Sequence, residues 1–247
     1  MIFVWIVIGI ITIAAIVGII AVIADLGKII NHKPFGPYER FVKRGLDAFL
    51  ATGALIVFSP ILLITAFLVR VKLGTPVLFV QERPGRDEKV FKLYKFRSMT
   101  DQKNENGKLL PDSIRLTSFG KILRASSLDE LPELINIIKG DMAVVGPRPL
   151  RVHYLPWYSE EQAQRHDVRP GLTGYAQAHG RNTVDWDDKF NMDVEYTKHI
   201  TFIGDLKIIL DTVKAVVKHE GISSSTSVTV ENFVDYCKSK GRNPRII

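Results

Sequence analysis

A chain of 247 residues has room for one modest domain with extra segments, and 46% apolar content with a mean hydropathy of +0.09 is high for a wholly water-exposed surface, so part of it is expected to face lipid. A single cysteine, Cys237, excludes a disulfide framework and any CxxC metal or redox site within one chain; it suits a reducing compartment and reads as an inert surface or helix residue. The net charge of +7 suits nucleic acid, anionic lipid or a phosphorylated substrate, and the placement of the cations must decide among them.

Residues 2–24 carry no charge and only Thr12 as a polar residue. About 23 residues of helix extend roughly 34 Å, enough to span a bilayer. A secretory signal peptide is the alternative, but the stretch is too long and lacks a basic leader and a small-x-small cleavage site, so a retained transmembrane anchor over 1–24 is expected. A basic linker follows over 25–45, with Lys28, Lys33, Arg40, Lys43 and Arg44, which puts the chain after the anchor in the cytoplasm. A second apolar segment, 46–72, has Lys43 and Arg44 before it and Arg70 and Lys72 at its end, so both ends carry the cytoplasmic charge signature. Ser59-Pro60 interrupts it. Proline removes a backbone N–H and clashes with the carbonyl four residues earlier, while the serine hydroxyl can satisfy a freed carbonyl. A re-entrant helix-break-helix is therefore expected, with a Pro-kinked spanning helix as the alternative.

Residues 73–221 read as a compact, helix-rich α/β domain. Residues 76–81 and 90–96 are β-like runs joined by ERPGRDEK, a hairpin pattern. In SSLDELPELINIIKGD, Leu131, Leu134, Ile135 and Ile138 share one helical face, Gly140 ends the helix, and MAVV reads as a short buried strand. Residues 205–221 form an amphipathic helix with Leu206, Ile209, Leu210, Val213, Val216 and Val217 on one side, suited to a membrane interface or to core packing. The tail, 222–247, reads as loosely ordered.

Chemistry concentrates at Asp129 and Glu130. Pro132 is welcome only in a first helical turn, so it puts both carboxylates at the positive end of the following helix. An ionised carboxylate there can be a nucleophile or a Mg²⁺ ligand; the plain alternative is capping, through a Ser127-x-x-Glu130 box or Asp129 as N-cap. Lys95, Arg97, Arg124 and Arg148 each stand next to an expected element end, and in GPRP the prolines preset the Arg148 backbone for phosphate contact. RPGLTGYAQAHGRN adds Arg169, Gln177, Arg181 and Asn182 among glycines, the composition of a loop that lets backbone approach a ligand, or of a structural turn. Asp185-Trp186-Asp187 is a DxD, explained more simply by helix N-terminal charge. There is no GxxxxGK[ST] or strand-linked GxGxxG, and His153, His166, His179 and His199 lack zinc-ligand spacing.

Taken together, RFVKRGLDAFLATGALIVFSP, QERPGRDEKVFKLYKFRSM, SLDELPELINIIKGDMAVVGPRP and RPGLTGYAQAHGRN resemble the bacterial sugar transferase family, the small monotopic polyprenyl-phosphate phosphoglycosyl transferases, over about residues 41–221 and nearest the short members that transfer diacetylbacillosamine 1-phosphate. The resemblance implies a UDP-sugar donor, an undecaprenyl phosphate acceptor, Mg²⁺ held at Asp129 and Glu130, release of UMP, and a catalytic domain on the cytoplasmic face of the bacterial inner membrane. It implies that Asp129 is the nucleophile, Glu130 its dyad partner, Ser59-Pro60 the re-entrant break, and Lys95, Arg124 and Arg148 basic site residues. The anchor is additional to the short members, and His179 stands where AQxNGRN is commoner. Two other readings are a non-catalytic membrane-tethered module and a DxD glycosyltransferase releasing UDP; nucleic acid ranks last, and an oligomer is left open.

Overall fold

The computed structural model describes residues 2–26, 33–179, 185–217 and 232–245. Helix α1 (Ile2–Leu26) is unbroken and apolar. Its isoleucines at 6, 13, 16, 20 and 23 are exposed, whereas Ala14 and Ala21 are buried against α2 (Lys43–Val57). A Cβ on Gly18 would lie 2.9 Å from the Gly45 carbonyl oxygen, and one on Gly45 2.8 Å from Val22 Cγ2. The two helices thus cross where neither has a side chain, the close contact that substitutes for hydrophobic drive between apolar helices.

A π-helical turn (Tyr38–Val42) leads into α2, which bends by 64° at Phe58 into α3 (Ser59–Leu73). Ser59 Oγ donates to the Ile56 carbonyl at 2.7 Å, the acceptor that Pro60 leaves without an N–H. Val57, Leu63, Ile64, Phe67 and Val71 point outward and are exposed. Both arms pack on the same globular body. Ala51 of α2 joins Leu93, Leu134, Ile137 and Met142 in one core cluster, and Val69 of α3 joins Phe96 and Leu123 in another. The first turn of α2 is polar and buried: Lys43 pairs with Asp205 at 2.6 Å, and Arg44 donates to the Ile137 and Ile138 carbonyls at 3.0 and 2.7 Å.

The expected hairpin is present as β1 (Leu78–Pro84) and β2 (Val90–Phe96), antiparallel, with Phe79 opposite Lys95 and Arg83 opposite Phe91; β1 runs three residues beyond the expected strand. After α4 (Asp112–Arg115) and α5 (Ser118–Ala125), the chain departs from expectation. Residues Leu128–Glu130 form a 3₁₀ turn, and the α-helix, α6 (Glu133–Lys139), starts only after Pro132. Ser127 is left-handed, φ +56°, and its side chain caps nothing, so the capping box is not formed. The buried face of α6 is Glu133, Leu134, Asn136 and Ile137, while Ile135 is exposed. Asn136 accepts from the Tyr94 N–H and donates to the Lys92 carbonyl, which ties α6 to β2. Gly140, φ +90°, ends α6 as expected.

Strand β3 (Ala143–Val145) occupies the MAVV stretch and pairs in parallel with β4 (Gly171–Thr173). Two glycines of the RPGLTGYAQAHGRN segment are used here: a Cβ on Gly171 would lie 2.1 Å from Gly146 N, and one on Gly174 2.2 Å from Gly146 O. At these two positions they admit one backbone to another, which is the structural-turn alternative. The segments α7 (Glu160–Ala163), α8 (Tyr175–His179), α9 (Trp186–Lys198) and α10 (Phe202–Val217) complete the body. Phe202, Ile203, Leu206, Leu210 and Val213 of α10 are exposed, so most of the described part of its apolar stripe faces outward, whereas Ile208 is buried and Ile209 packs against the same core cluster.

The tail also differs from expectation. Helix α11 (Phe233–Ser239) puts Phe233, Tyr236 and Cys237 into a core with Tyr154, Leu155, Tyr158 and Phe190. Cys237 is buried within this helix, the helix reading and not the surface one.

Candidate active site

The side chains that the sequence singled out converge between β1, β2, α5, the 3₁₀ turn and the segment after β3. Residues 79, 81 and 83 share the face of β1 that lies beside Lys95, because side chains alternate along a strand. Lys95 Nζ lies 2.7 Å from Glu130 Oε1 and 3.0 Å from Glu133 Oε1, and Arg148 Nη2 lies 3.1 Å from the same Glu130 oxygen. The Arg148 backbone is held by its flanking prolines and by buried Arg165, whose Nη2 donates to the Arg148 carbonyl at 2.8 Å. Arg124, from α5, donates its Nε to Ser98 Oγ at 2.9 Å. Lys95, Ser98, Arg124, Glu130 and Arg148 border a cavity of about 670 Å³.

Asp129 lines this cavity and is 8% exposed. Among the described residues no side chain pairs with or hydrogen bonds to its carboxylate, in contrast to Glu130 and Glu133. Burial, then the neighbouring Glu130 charge, raise the Asp129 carboxyl above the usual aspartate range, and Lys95 and Arg124 pull in the other direction. Burial also works to raise Glu130, but Arg148 and Lys95 outweigh it and hold that carboxyl below its usual range. Burial pushes Glu133 up to about 7 despite Lys95. The 3₁₀ turn therefore presents a carboxylate with no side-chain partner among the described residues beside one held by two cations.

Not every candidate is here. Arg97 lines the cavity, but its guanidinium is bonded to the Thr75 and Leu73 carbonyls and to Asp101, so it fastens the end of α3 to β2. Arg169 lies elsewhere: it pairs with Asp25 at the end of α1 and donates to the Gly140 carbonyl at 3.1 Å. Gln177 donates to the Leu172 carbonyl and stands outside the cavity. Arg181 and Asn182 lie outside the described residues. The DxD is structural. Asp185 caps α9 by accepting from the Asp188 N–H at 2.9 Å, and Asp187 is bound by both Arg242 terminal nitrogens (2.8 and 2.6 Å), by Tyr236 and by Gln162.

Sequence reasoning missed Arg83, Arg151, Ser98 and Glu133. The strand alternation that puts Arg83 on the same face as Phe79, the partner of Lys95, was a usable signal for the first; Glu133 stands in the first turn after the proline, where a carboxylate passes for ordinary helix N-terminal charge.

A metal can be accommodated by the donor chemistry. Mg²⁺ is usually held by one or two carboxylates together with substrate phosphates and water, not by a dedicated protein cage. Asp129 and the Glu130 oxygen not taken by Lys95 and Arg148 fit that pattern, although no group of three or more His, Cys, Asp or Glu suited to a metal occurs among the described residues.

The family model described as bacterial sugar transferase matches residues 38–219. The chain is 50% identical over 192 residues to the uncharacterized sugar transferase EpsL of Bacillus subtilis, covering 78% of this chain and 95% of that protein. It is 35% identical over 189 residues to an Aeromonas hydrophila UDP-N-acetylgalactosamine-undecaprenyl-phosphate N-acetylgalactosaminephosphotransferase, and 38% over 190 residues to an Escherichia coli UDP-glucose:undecaprenyl-phosphate glucose-1-phosphate transferase. Each match covers 73% of this chain but only 45% and 41% of those longer proteins, so the chain spans under half their length.

Proposed function

The chain belongs to the bacterial sugar transferase family, and from that premise we propose that it is a phosphoglycosyl transferase moving a sugar 1-phosphate from a UDP-sugar to undecaprenyl phosphate, with release of UMP. The observation that carries the reading is the unengaged Asp129 carboxylate in a cavity lined by cations. An Asp129 oxygen attacks the donor's β-phosphorus; the bond from that phosphorus to the bridging oxygen breaks, and UMP leaves with the oxygen and its electron pair. A phosphate oxygen of undecaprenyl phosphate then attacks the same phosphorus, the bond to Asp129 breaks, and the carboxylate is restored with a lipid-linked sugar diphosphate as product. Lys95, Arg124 and Arg148 neutralise phosphate oxygens through both displacements, which is where protein groups contribute most to phosphoryl transfer. Glu130 keeps Lys95 and Arg148 in place. Mg²⁺ bound through Asp129 and Glu130 would supply further charge neutralisation on the phosphates.

Membrane placement follows the same reading. A spanning helix would carry its two ends to opposite sides, whereas α2 and α3 both pack along one globular body, supporting re-entry from the cytoplasmic face. The exposed stripe of α10 would then lie at the same interface. The domain limits are proposed as an anchor at 1–24, a linker at 25–45, the re-entrant pair at 46–72 and the catalytic domain from 73, with α11 now part of its core. For the sugar we propose an N-acetylated amino sugar, the kind named for the Aeromonas relative. Engagement of Asp187 by Arg242 and Tyr236 argues against the DxD alternative. Nucleotide release by purified protein with Mg²⁺, undecaprenyl phosphate and a panel of UDP-sugars tests the reaction: UMP from the wild type and none from Asp129→Asn is expected. UDP release, or turnover retained in the variant, would overturn it.

A further inference from the structure

Seven cationic side chains line the cavity against four carboxylates, Asp101, Asp112, Asp129 and Glu130, and part of the excess stands at the end of the hairpin away from α3. Arg97 is fastened to the last turn of α3, so the Lys95 end of the hairpin is the end nearest α3. Arg83 stands four residues further along β1 from Phe79, the partner of Lys95, or roughly 13 Å at strand spacing. Arg83, Arg148 and Arg151 all line the cavity.

Arg148 has Glu130 as a counter-charge. Arg83 and Arg151 form no ion pair among the described residues. Arg83 Nη2 donates only to the neutral Gln81 Oε1 at 2.7 Å, and its Nε is buried without a partner. Burial, then the charges of Arg148 and Arg151, lower the Arg83 guanidinium to about 10, with Glu133 acting in the opposite direction. A partly buried guanidinium pressed by two others and given no carboxylate is a site organised for an anion.

We propose that Arg83 and Arg151 bind the phosphate of the nucleoside monophosphate that leaves the donor, at the end of the cavity away from α3. The assignment rests on the reaction proposed above. Two in-line displacements at one phosphorus share only the oxygen position opposite Asp129. From that oxygen, undecaprenyl phosphate must extend toward α3 and the bilayer, because its hydrocarbon stays in lipid. The nucleotide is under no such constraint, and the uncompensated guanidinium groups lie on the other side.

The test is calorimetric titration of UMP and of uridine into the full chain in detergent, with KM for undecaprenyl phosphate measured alongside. Arg83→Gln and Arg151→Gln should each weaken UMP about 10-fold or more, with uridine binding and the lipid KM nearly unchanged. Arg83→Lys should recover part of the loss. Arg151 is exposed, so its variant keeps the argument testable if Arg83→Gln does not fold. Undetectable UMP binding by the wild type, unchanged UMP affinity in both variants, or a rise in lipid KM in its place would overturn the subsite. Failure of the reaction itself reads differently: wild type would release UDP, or Asp129→Asn would turn over. UMP release by the wild type with arginine variants that bind UMP normally would sink the subsite alone.

Discussion

Asp129-Glu130 and Asp185-Trp186-Asp187 look alike in the sequence, as acidic groups at the start of helices, yet the fold treats them in opposite ways. Asp187 is surrounded by donors from α7 and from the tail, and its position locks α11 onto α9. Asp129 sits on a 3₁₀ turn whose preceding residue is left-handed, so it caps nothing and faces a cavity. An acidic residue whose partners are all supplied by the chain is part of the structure; one denied partners while cations wait nearby is available for a substrate.

The widest separation between the two should appear in turnover. Asp129→Asn removes the proposed nucleophile and should lower kcat by about 10³-fold or more, with the thermal midpoint unchanged. Asp187→Asn should leave turnover within a few-fold; parallel rate and unfolding measurements that gave the reverse pattern would dissolve the distinction. In the structural region the largest effect belongs to Phe233, which is fully buried among Tyr154, Tyr158 and Phe190. Phe233→Ala should cost about 3–5 kcal/mol, visible as a large drop in the unfolding midpoint.

The carboxylates of the two regions should also titrate with opposite sign. Glu133, at about 7 when folded and near 4.5 when unfolded, holds its proton more tightly in the native state, so its contribution to stability is present below about 4.5 and lost as pH rises to 7. Hydrogen bonds from Arg242 first, opposed by burial, lower Asp187, so its contribution is present above about 3.8 and lost as pH falls below that. Unfolding midpoints of Glu133→Gln and Asp187→Asn against wild type at pH 3.5, 5 and 8 check this: the glutamine variant should gain on wild type between pH 5 and 8, and the Asp187 variant should approach wild type at the acid end. The smallest effect is expected from Arg242→Ala. Its pair with Asp187 is about one-third exposed and therefore screened, so a loss of about 1 kcal/mol is expected. Turnover should be unaltered.

Much of this site was legible because its signals are local. Pro132 drew attention to Asp129 and Glu130, although it placed them on the α-helix and not on the 3₁₀ turn before it, two β-like runs around ERPGRDEK marked the hairpin, and Ser59-Pro60 announced both the break and its hydrogen-bond repair. What could not be read depended on distant partners. Arg169 meets Asp25, 144 residues away, and the glycines at 171 and 174 meet Gly146, so neither could be told from ligand-loop residues by composition. The failed capping box at Ser127 turns on one backbone angle that the residue type does not favour. The tail was a different kind of miss: Phe233, Tyr236 and Cys237 have helical spacing behind the N-cap Asn232, a pattern present in the sequence but obscured by the polar stretch before it.

The most direct test of Asp129 as nucleophile is the intact mass of the protein after mixing with UDP-sugar and Mg²⁺ in the absence of undecaprenyl phosphate. A gain equal to one sugar phosphate, mapped to Asp129, absent from Asp129→Asn and discharged when undecaprenyl phosphate is added, is the predicted result. An unmodified mass together with UMP release that requires undecaprenyl phosphate would mean direct transfer between donor and acceptor, and would contradict the aspartyl intermediate.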